Sequence, residues 1–174
     1  MLIFEGDKDG ECARRGFGFE RVAMIGLRAI GYEVKLPTQY EARARHVDFW
    51  MRRGGAPWLS VDAKAMKKLR RHDESVQDEW TFIEWMNNQG RDGWLVSGAE
   101  LMVFERERVL MMIRREELLR WASSKVDFSR HVTRSSEAKY AMYSRQGRAD
   151  LMSLIRLDEV PLHLYEVTPK PKRR

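Results

Sequence analysis

Asp48, Asp62 and Lys64 are the residues of this 174-residue chain whose types and spacing can do chemistry together. They stand on the stretch His46 to Lys64, HVDFWMRRGGAPWLSVDAK. Residues 46–52 and 58–64 each come close to alternating apolar with polar side chains, and Arg53-Gly54-Gly55-Ala56-Pro57 is a five-residue connection of the kind that closes a β-hairpin. Facing Arg52 with Trp58 puts Trp50 opposite Ser60 and Asp48 opposite Asp62. One face of the ribbon then carries Val47, Phe49, Met51, Leu59, Val61 and Ala63, all apolar, and the other carries His46, Asp48, Trp50, Ser60, Asp62 and Lys64. Opposed residues on such a pair have Cβ atoms about 5 Å apart. Two carboxylates at that distance repel unless a cation lies between them or one takes a proton. An oxygen-only pair suits Mg2+ or Mn2+, which use one or two carboxylates together with waters and phosphate oxygens.

Asp48, thirteen intervening residues and Asp62-Ala63-Lys64 together resemble the PD-(D/E)xK nuclease superfamily, which includes restriction endonucleases, Holliday-junction resolvases and recombination exonucleases. Val47 stands where the motif's name has proline. An acid, any residue and a lysine also occur as Glu33-Val34-Lys35 and Glu137-Ala138-Lys139, but only Asp62-Lys64 ends an apolar strand with another acid opposite it. The resemblance implies a restriction-endonuclease-like α/β fold, a central mixed β-sheet flanked by helices. It also implies metal-dependent hydrolysis of DNA phosphodiester bonds, endonucleolytic or exonucleolytic and selective for branched DNA in some members. Asp48 and Asp62 would bind Mg2+ (or Mn2+), and Lys64 would orient the attacking water or stabilise charge. Such nucleases often carry a further acid on the helix before the core sheet, and Glu20 matches that place. Many resolvase-like members act as dimers, so a homodimer belongs to the same expectations. A solvated hairpin face with one cross-strand ion pair accounts for the same residues without catalysis. So does a non-catalytic nucleic-acid-binding module.

The elements that must position these residues are legible in part. From Phe17 to Ile30 the apolar positions Phe19, Ala23, Leu27 and Ile30 fall on one helical face, with Gly31 as a stop. Glu20 lies beside Ala23, Met24 and Leu27 inside that apolar arc, where an unpaired carboxylate is expensive. Tyr32 to Leu36 reads as a first strand ended by Pro37, and Thr38 to Arg45 as a polar connection. Trp80 to Met86 is a strand rich in aromatic and β-branched residues, Asn87 to Gly93 a turn, and Ala99 to Phe104 and Val109 to Ile113 two more strands. Arg115 to Ala122 reads as a short helix, Ser123 to Ser136 as a loop or extended excursion, and Asp150 to Ile155 as a final strand or helix.

After Lys64 the run to His72 concentrates the basic side chains Lys67, Lys68, Arg70 and Arg71, a natural phosphate-binding cluster. Glu84 and Glu100 are further acids on strands. Tyr140, Tyr143, Arg145 and Arg148 offer a second backbone contact or a dimer surface. Some tryptophans can stack on bases, but most belong to the core, Trp80 and Trp85 among them. His46, His72, His131 and His163 show no ligand spacing, and no Walker-type loop, HExxH helix or nucleophile elbow occurs.

Composition bounds these readings. Hydrophobic residues make up 43% and charged residues 33%, with six Trp, seven Phe and five Tyr, enough for one good core. The domain expectation is a lead-in over 1–16, a single nuclease-like domain over 17–167 and a basic flexible tail over 168–174. A net charge of +6 favours an anionic partner such as DNA. The single cysteine, Cys12, excludes an intrachain disulfide and a Cys-rich zinc site. Without a leader-like N-terminus or a long apolar run, the expectation is a cytoplasmic protein with no membrane contact.

Overall fold

The hairpin is present in the expected register. The structure, a computed structural model, describes residues 10–68 and 74–171. In chain order its elements are α1 (Glu11–Ala29), β1 (Glu33–Lys35), α2 (Gln39–Ala44), β2 (Phe49–Arg52), β3 (Leu59–Lys64), β4 (Trp80–Met86), β5 (Leu101–Glu105), β6 (Val109–Arg114), α3 (Arg115–Lys125), β7 (Asp127–Val132), β8 (Ala141–Ser144), β9 (Leu151–Arg156) and β10 (Tyr165–Pro169). Phe49 pairs with Val61, Trp50 with Ser60 and Met51 with Leu59. The turn reverses through Gly54 and Gly55 at φ of 58° and 77°, values that glycine adopts without steric cost.

Six strands form the larger sheet in the order β1-β2-β3-β5-β6-β10. It is mixed, because β3 and β5 run parallel while its other pairs are antiparallel. Helix α1 covers one face. Phe19, Ala23 and Leu27 meet Phe49, Met51, Val61, Ala63, Val103 and Leu110 there, so the apolar side of the hairpin becomes core. Phe49 is fully buried, and its truncation to alanine would cost about 3 to 5 kcal/mol. On the opposite face α3 lies over β5 and β6, with Leu118, Trp121 and Ala122 against Met102, Phe104, Met111 and Ile113. The fold is therefore α/β, a central mixed sheet with helices on its two faces.

A second sheet, which the sequence reading does not anticipate, completes that inner layer. Its order is β4-β9-β8-β7, and Ile83, Met142 and Ile155 enter the same core as α3. The chain thus leaves the larger sheet after β3, contributes β4 to the smaller one and returns as β5 beside β3.

Four boundaries differ from expectation, each for a physical reason. Helix α1 starts at Glu11 rather than Phe17; Gly16 and Gly18 interrupt its apolar pattern. Thr38 to Arg45 is not a plain connection but contains α2, closed by a capping box in which the Thr38 hydroxyl accepts from the Glu41 amide and the Glu41 carboxylate accepts from the Thr38 amide at 2.8 Å. The stretch after Ala122 continues α3 to Lys125 and then forms β7, whose side chains are almost all exposed and so show no alternation. Residues 168 and 169 are strand rather than tail: β10 is the sheet's edge, a position that tolerates proline, and Thr168 is buried. Lys170 follows it with an ion pair to the buried Glu105 at 3.2 Å. No described helix is long and apolar enough to cross a membrane.

Candidate metal and catalytic site

Asp48 stands just before β2, and its amide donates at 2.8 Å to the carbonyl of Val61, the residue that pairs with Phe49. Asp48 and Phe49 thus share one partner, and Asp48 is off the regular ladder, although Asp62 still acts on its charge. Asp48 Oδ2 accepts from the Ala63 amide at 2.7 Å, so the neighbouring strand's own backbone holds this carboxylate in place. Burial, then the adjacent Asp62 and Glu20, push the Asp48 carboxyl up to about 8, against the Ala63 amide and Lys64, which favour its ionised form.

Asp62 is 2% exposed. Its Oδ2 lies 2.7 Å from Lys64 Nζ, but the approach is not that of a hydrogen bond, and this oxygen is buried without a hydrogen-bond partner. The ammonium compensates the charge of this buried carboxylate. Lys64, with its side chain 21% exposed, also sits 4.8 Å from the centroid of the Trp94 ring, a cation–π placement. Trp94 in turn packs edge-on against Phe104. Its backbone is pressed to β4: a Cβ on Gly93 would lie 2.3 Å from the Glu84 carbonyl oxygen, so only glycine fits. Glu20 approaches from α1, and burial, then Asp62, raise its carboxyl above the ordinary value while Lys64 opposes them.

The structure thus brings Glu20, Asp48, Asp62 and Lys64 into one electrostatic group. Among the described residues, no group of three or more His, Cys, Asp and Glu side chains is arranged to hold a metal ion. What the geometry offers a divalent cation is two neighbouring carboxylates, Asp48 and Asp62, compensated by the single ammonium of Lys64, with repulsion that a cation would relieve. This hard-oxygen donor set fits Mg2+ or Mn2+ completed by waters and phosphate.

The other candidates lie as follows. Ser60 shares the hairpin's outer face, and its amide and hydroxyl both donate to Glu100 Oε2 at 3.0 Å, which occupies that acid at the start of β5. Glu84 lies in the smaller sheet opposite Met152. His46 precedes Asp48 at φ 50°, in the left-handed region. The Lys67 carbonyl accepts from the Gln77 amide at 3.1 Å, and Lys68 follows it; Arg70 and Arg71 lie outside the described residues. Tyr140 donates to Glu159 at 2.7 Å, Tyr143 packs against Phe82 and Arg145 pairs with the buried Asp150, so these three are engaged within the fold. Trp94 is the residue that sequence reasoning misses at the site. Only its neighbouring Gly93 and Gly98 signal a close backbone approach, and they do not reveal to what.

No protein-family model matches this chain, and no curated protein matches it. Among solved structures the chain is similar to a bacterial homing endonuclease, I-Ssp6803I, at 12% sequence identity and a TM-score of 0.45. The similarity covers 64% of this chain and 74% of that one.

Proposed function

We propose that the protein is a metal-dependent deoxyribonuclease that hydrolyses phosphodiester bonds. The observation that carries this reading is the close approach of half-buried Asp48, held by the Ala63 amide, to buried Asp62, whose Oδ2 lies 2.7 Å from Lys64 Nζ. Beyond the Ala63 amide on Asp48, the compensating cation is Lys64, seated on the Trp94 ring.

In this reading Asp48 and Asp62 hold Mg2+ or Mn2+, with Glu20 a third acid near enough to feel their charge. The bound ion would supply water activation and charge stabilisation on the phosphate. The chain's own residues do the rest. The Ala63 amide fixes Asp48, and the Trp94 ring directs the Lys64 ammonium toward the acids, where it positions a water or offsets charge. Lys67 and Lys68, just past β3, with Arg70 and Arg71, are assigned to the DNA backbone.

The test is cleavage of linear duplex, single-stranded, flap and four-way-junction DNA with Mg2+, Mn2+ or EDTA, comparing wild type with Asp62→Ala and Lys64→Ala. Metal-dependent cutting that both variants lose supports the assignment and defines the substrate class. Binding without cutting by the wild type, or equal cutting by the variants, removes catalysis from the site and leaves a nucleic-acid-binding module.

A further inference from the structure

Met66, two residues past Lys64, is held at both of its backbone groups by side chains. Strand β3 ends at Lys64 and Met66 stands outside any ladder, so its amide and carbonyl take partners from elsewhere. Glu105 Oε2 accepts from the Met66 amide at 3.1 Å, and Arg15 Nη1 donates to the Met66 carbonyl at 3.4 Å. The next carbonyl, that of Lys67, accepts from the Gln77 amide at 3.1 Å. Parts of the chain remote in sequence therefore converge on this exit. Helix α1 supplies Arg15, β5 supplies Glu105 as its last residue, and the segment after β10 supplies Lys170, which donates to Glu105 Oε1 at 3.2 Å.

The Glu105 side chain is 1% exposed. A buried ion pair contributes little net stability, because desolvation offsets the attraction; its directed bonds to Met66 and Lys170 instead fix one path for the chain. A cavity of about 430 Å3 lies beside this clamp, with Arg15, Met66, Glu105 and Lys170 in its wall. The segment thus has room to move once the bonds are broken. The end of β5 also serves Lys64 from its other face. Phe104 pairs in register with Lys64 and packs against Trp94, the ring on which the ammonium sits, while Glu105, next along the strand, points to the opposite side.

We propose that Glu105 and Arg15 are positioning residues of the nuclease. By clamping Met66 they fix the chain where it leaves β3, so that Lys64 keeps its place at Asp62 and Lys67 and Lys68 meet the DNA backbone in a set relation to it. The inference rests on the nuclease reading and adds what holds the lysine and the basic run in register.

Amide hydrogen exchange and cleavage kinetics on the full chain test it together. In the wild type the Met66 amide should exchange slowly, and Glu105→Ala should speed its exchange about tenfold by removing the acceptor. With Mg2+ and the DNA that the wild type cuts, Glu105→Ala should lower kcat about tenfold, as expected when a reacting group loses its placement. Glu105→Gln keeps an oxygen for the Met66 amide and should return kcat to within about threefold of wild type. Ile155→Ala, at a fully buried residue of the smaller sheet, also costs stability but should leave kcat unchanged at a temperature where all the proteins are folded. Should Glu105→Ala fail to fold, Arg15→Ala, which removes the arm on the Met66 carbonyl, carries the test with a fall in kcat of about threefold. Equal Met66 exchange with and without Glu105, an unchanged kcat in the clamp variants, or an equal fall in Ile155→Ala refutes the clamp, while cleavage by the wild type still upholds the nuclease. A wild type that cuts no DNA overturns both readings.

Discussion

Replacing Asp48 by asparagine should make the metal-free protein more stable at neutral and mildly alkaline pH. The Asp48 carboxyl is pushed from an ordinary 3.8 up to about 8, mainly by burial and then by Asp62 and Glu20. An acid whose proton is held more tightly in the folded than in the unfolded chain makes the folded state bind more protons. Stability then falls as pH rises from about 4, where the unfolded chain ionises, to about 8, where the folded one does. Each tenfold change in proton affinity is worth about 1.4 kcal/mol, so the full rise would amount to roughly 6 kcal/mol. Glu20, whose carboxyl is also raised, is coupled to the same site and is not relieved fully when Asp48 is neutralised, so about 2 kcal/mol is the expected gain for Asp48→Asn at pH 8. The amide oxygen can still accept from the Ala63 amide, now 2.7 Å from Asp48 Oδ2. For a chain of this size the gain corresponds to a melting temperature higher by about 6 °C. Thermal unfolding of both proteins in EDTA from pH 5 to 8.5 measures it. A wild-type curve that is flat across that range, or a variant less stable than wild type at pH 8, would refute the reasoning.

Lys64→Met keeps an apolar stem on Trp94 but strips the buried Asp62 of its counter-charge, and urea unfolding should show a loss of about 3 kcal/mol, at the lower end for a broken buried pair because Lys64 is partly exposed. Gly93→Ala forces the strand away from the Glu84 carbonyl; a cost of about 3 kcal/mol and a melting temperature lower by about 9 °C are expected by calorimetry. Thr38→Ala removes half of the α2 capping box and should cost about 1 kcal/mol in the same measurement.

The hairpin register is legible because three apolar residues on each strand must share one face, and a slip by one residue would bury Asp48 and Asp62 against α1 instead. The same logic places Glu20 toward the site, since helical phase alone sets it inside the apolar arc. Partition of the strands into two sheets is not legible. Pairing of β3 with β5 and of β4 with β9 joins segments far apart in sequence, and nothing local in Trp80 to Met86 says which sheet will take it. Edge strands hide for another reason: β7 exposes nearly every side chain, and β10 carries Pro169, so neither shows a buried stripe. Lys64 can be read as a charge near the acids, but its seat on Trp94 depends on a loop whose path is set by contact with β4. Glu100 reads as a further acid on a strand, and its partner is not legible: the parallel pairing brings it to Ser60, 40 residues away.

The closeness of Asp48 and Asp62 has a consequence for how the chain folds. Asp48 and its partner amide on Ala63 are only 15 residues apart and joined by a tight turn, so the hairpin brings the acids together through local contacts. The Lys64 seat on Trp94 and the approach of Glu20 arrive through distant parts of the chain. Repulsion between the acids is therefore met early and relieved late, which makes hairpin closure the step most sensitive to protons and divalent cations. Refolding should accelerate as pH falls from 8 toward 5, with unfolding rates changing less.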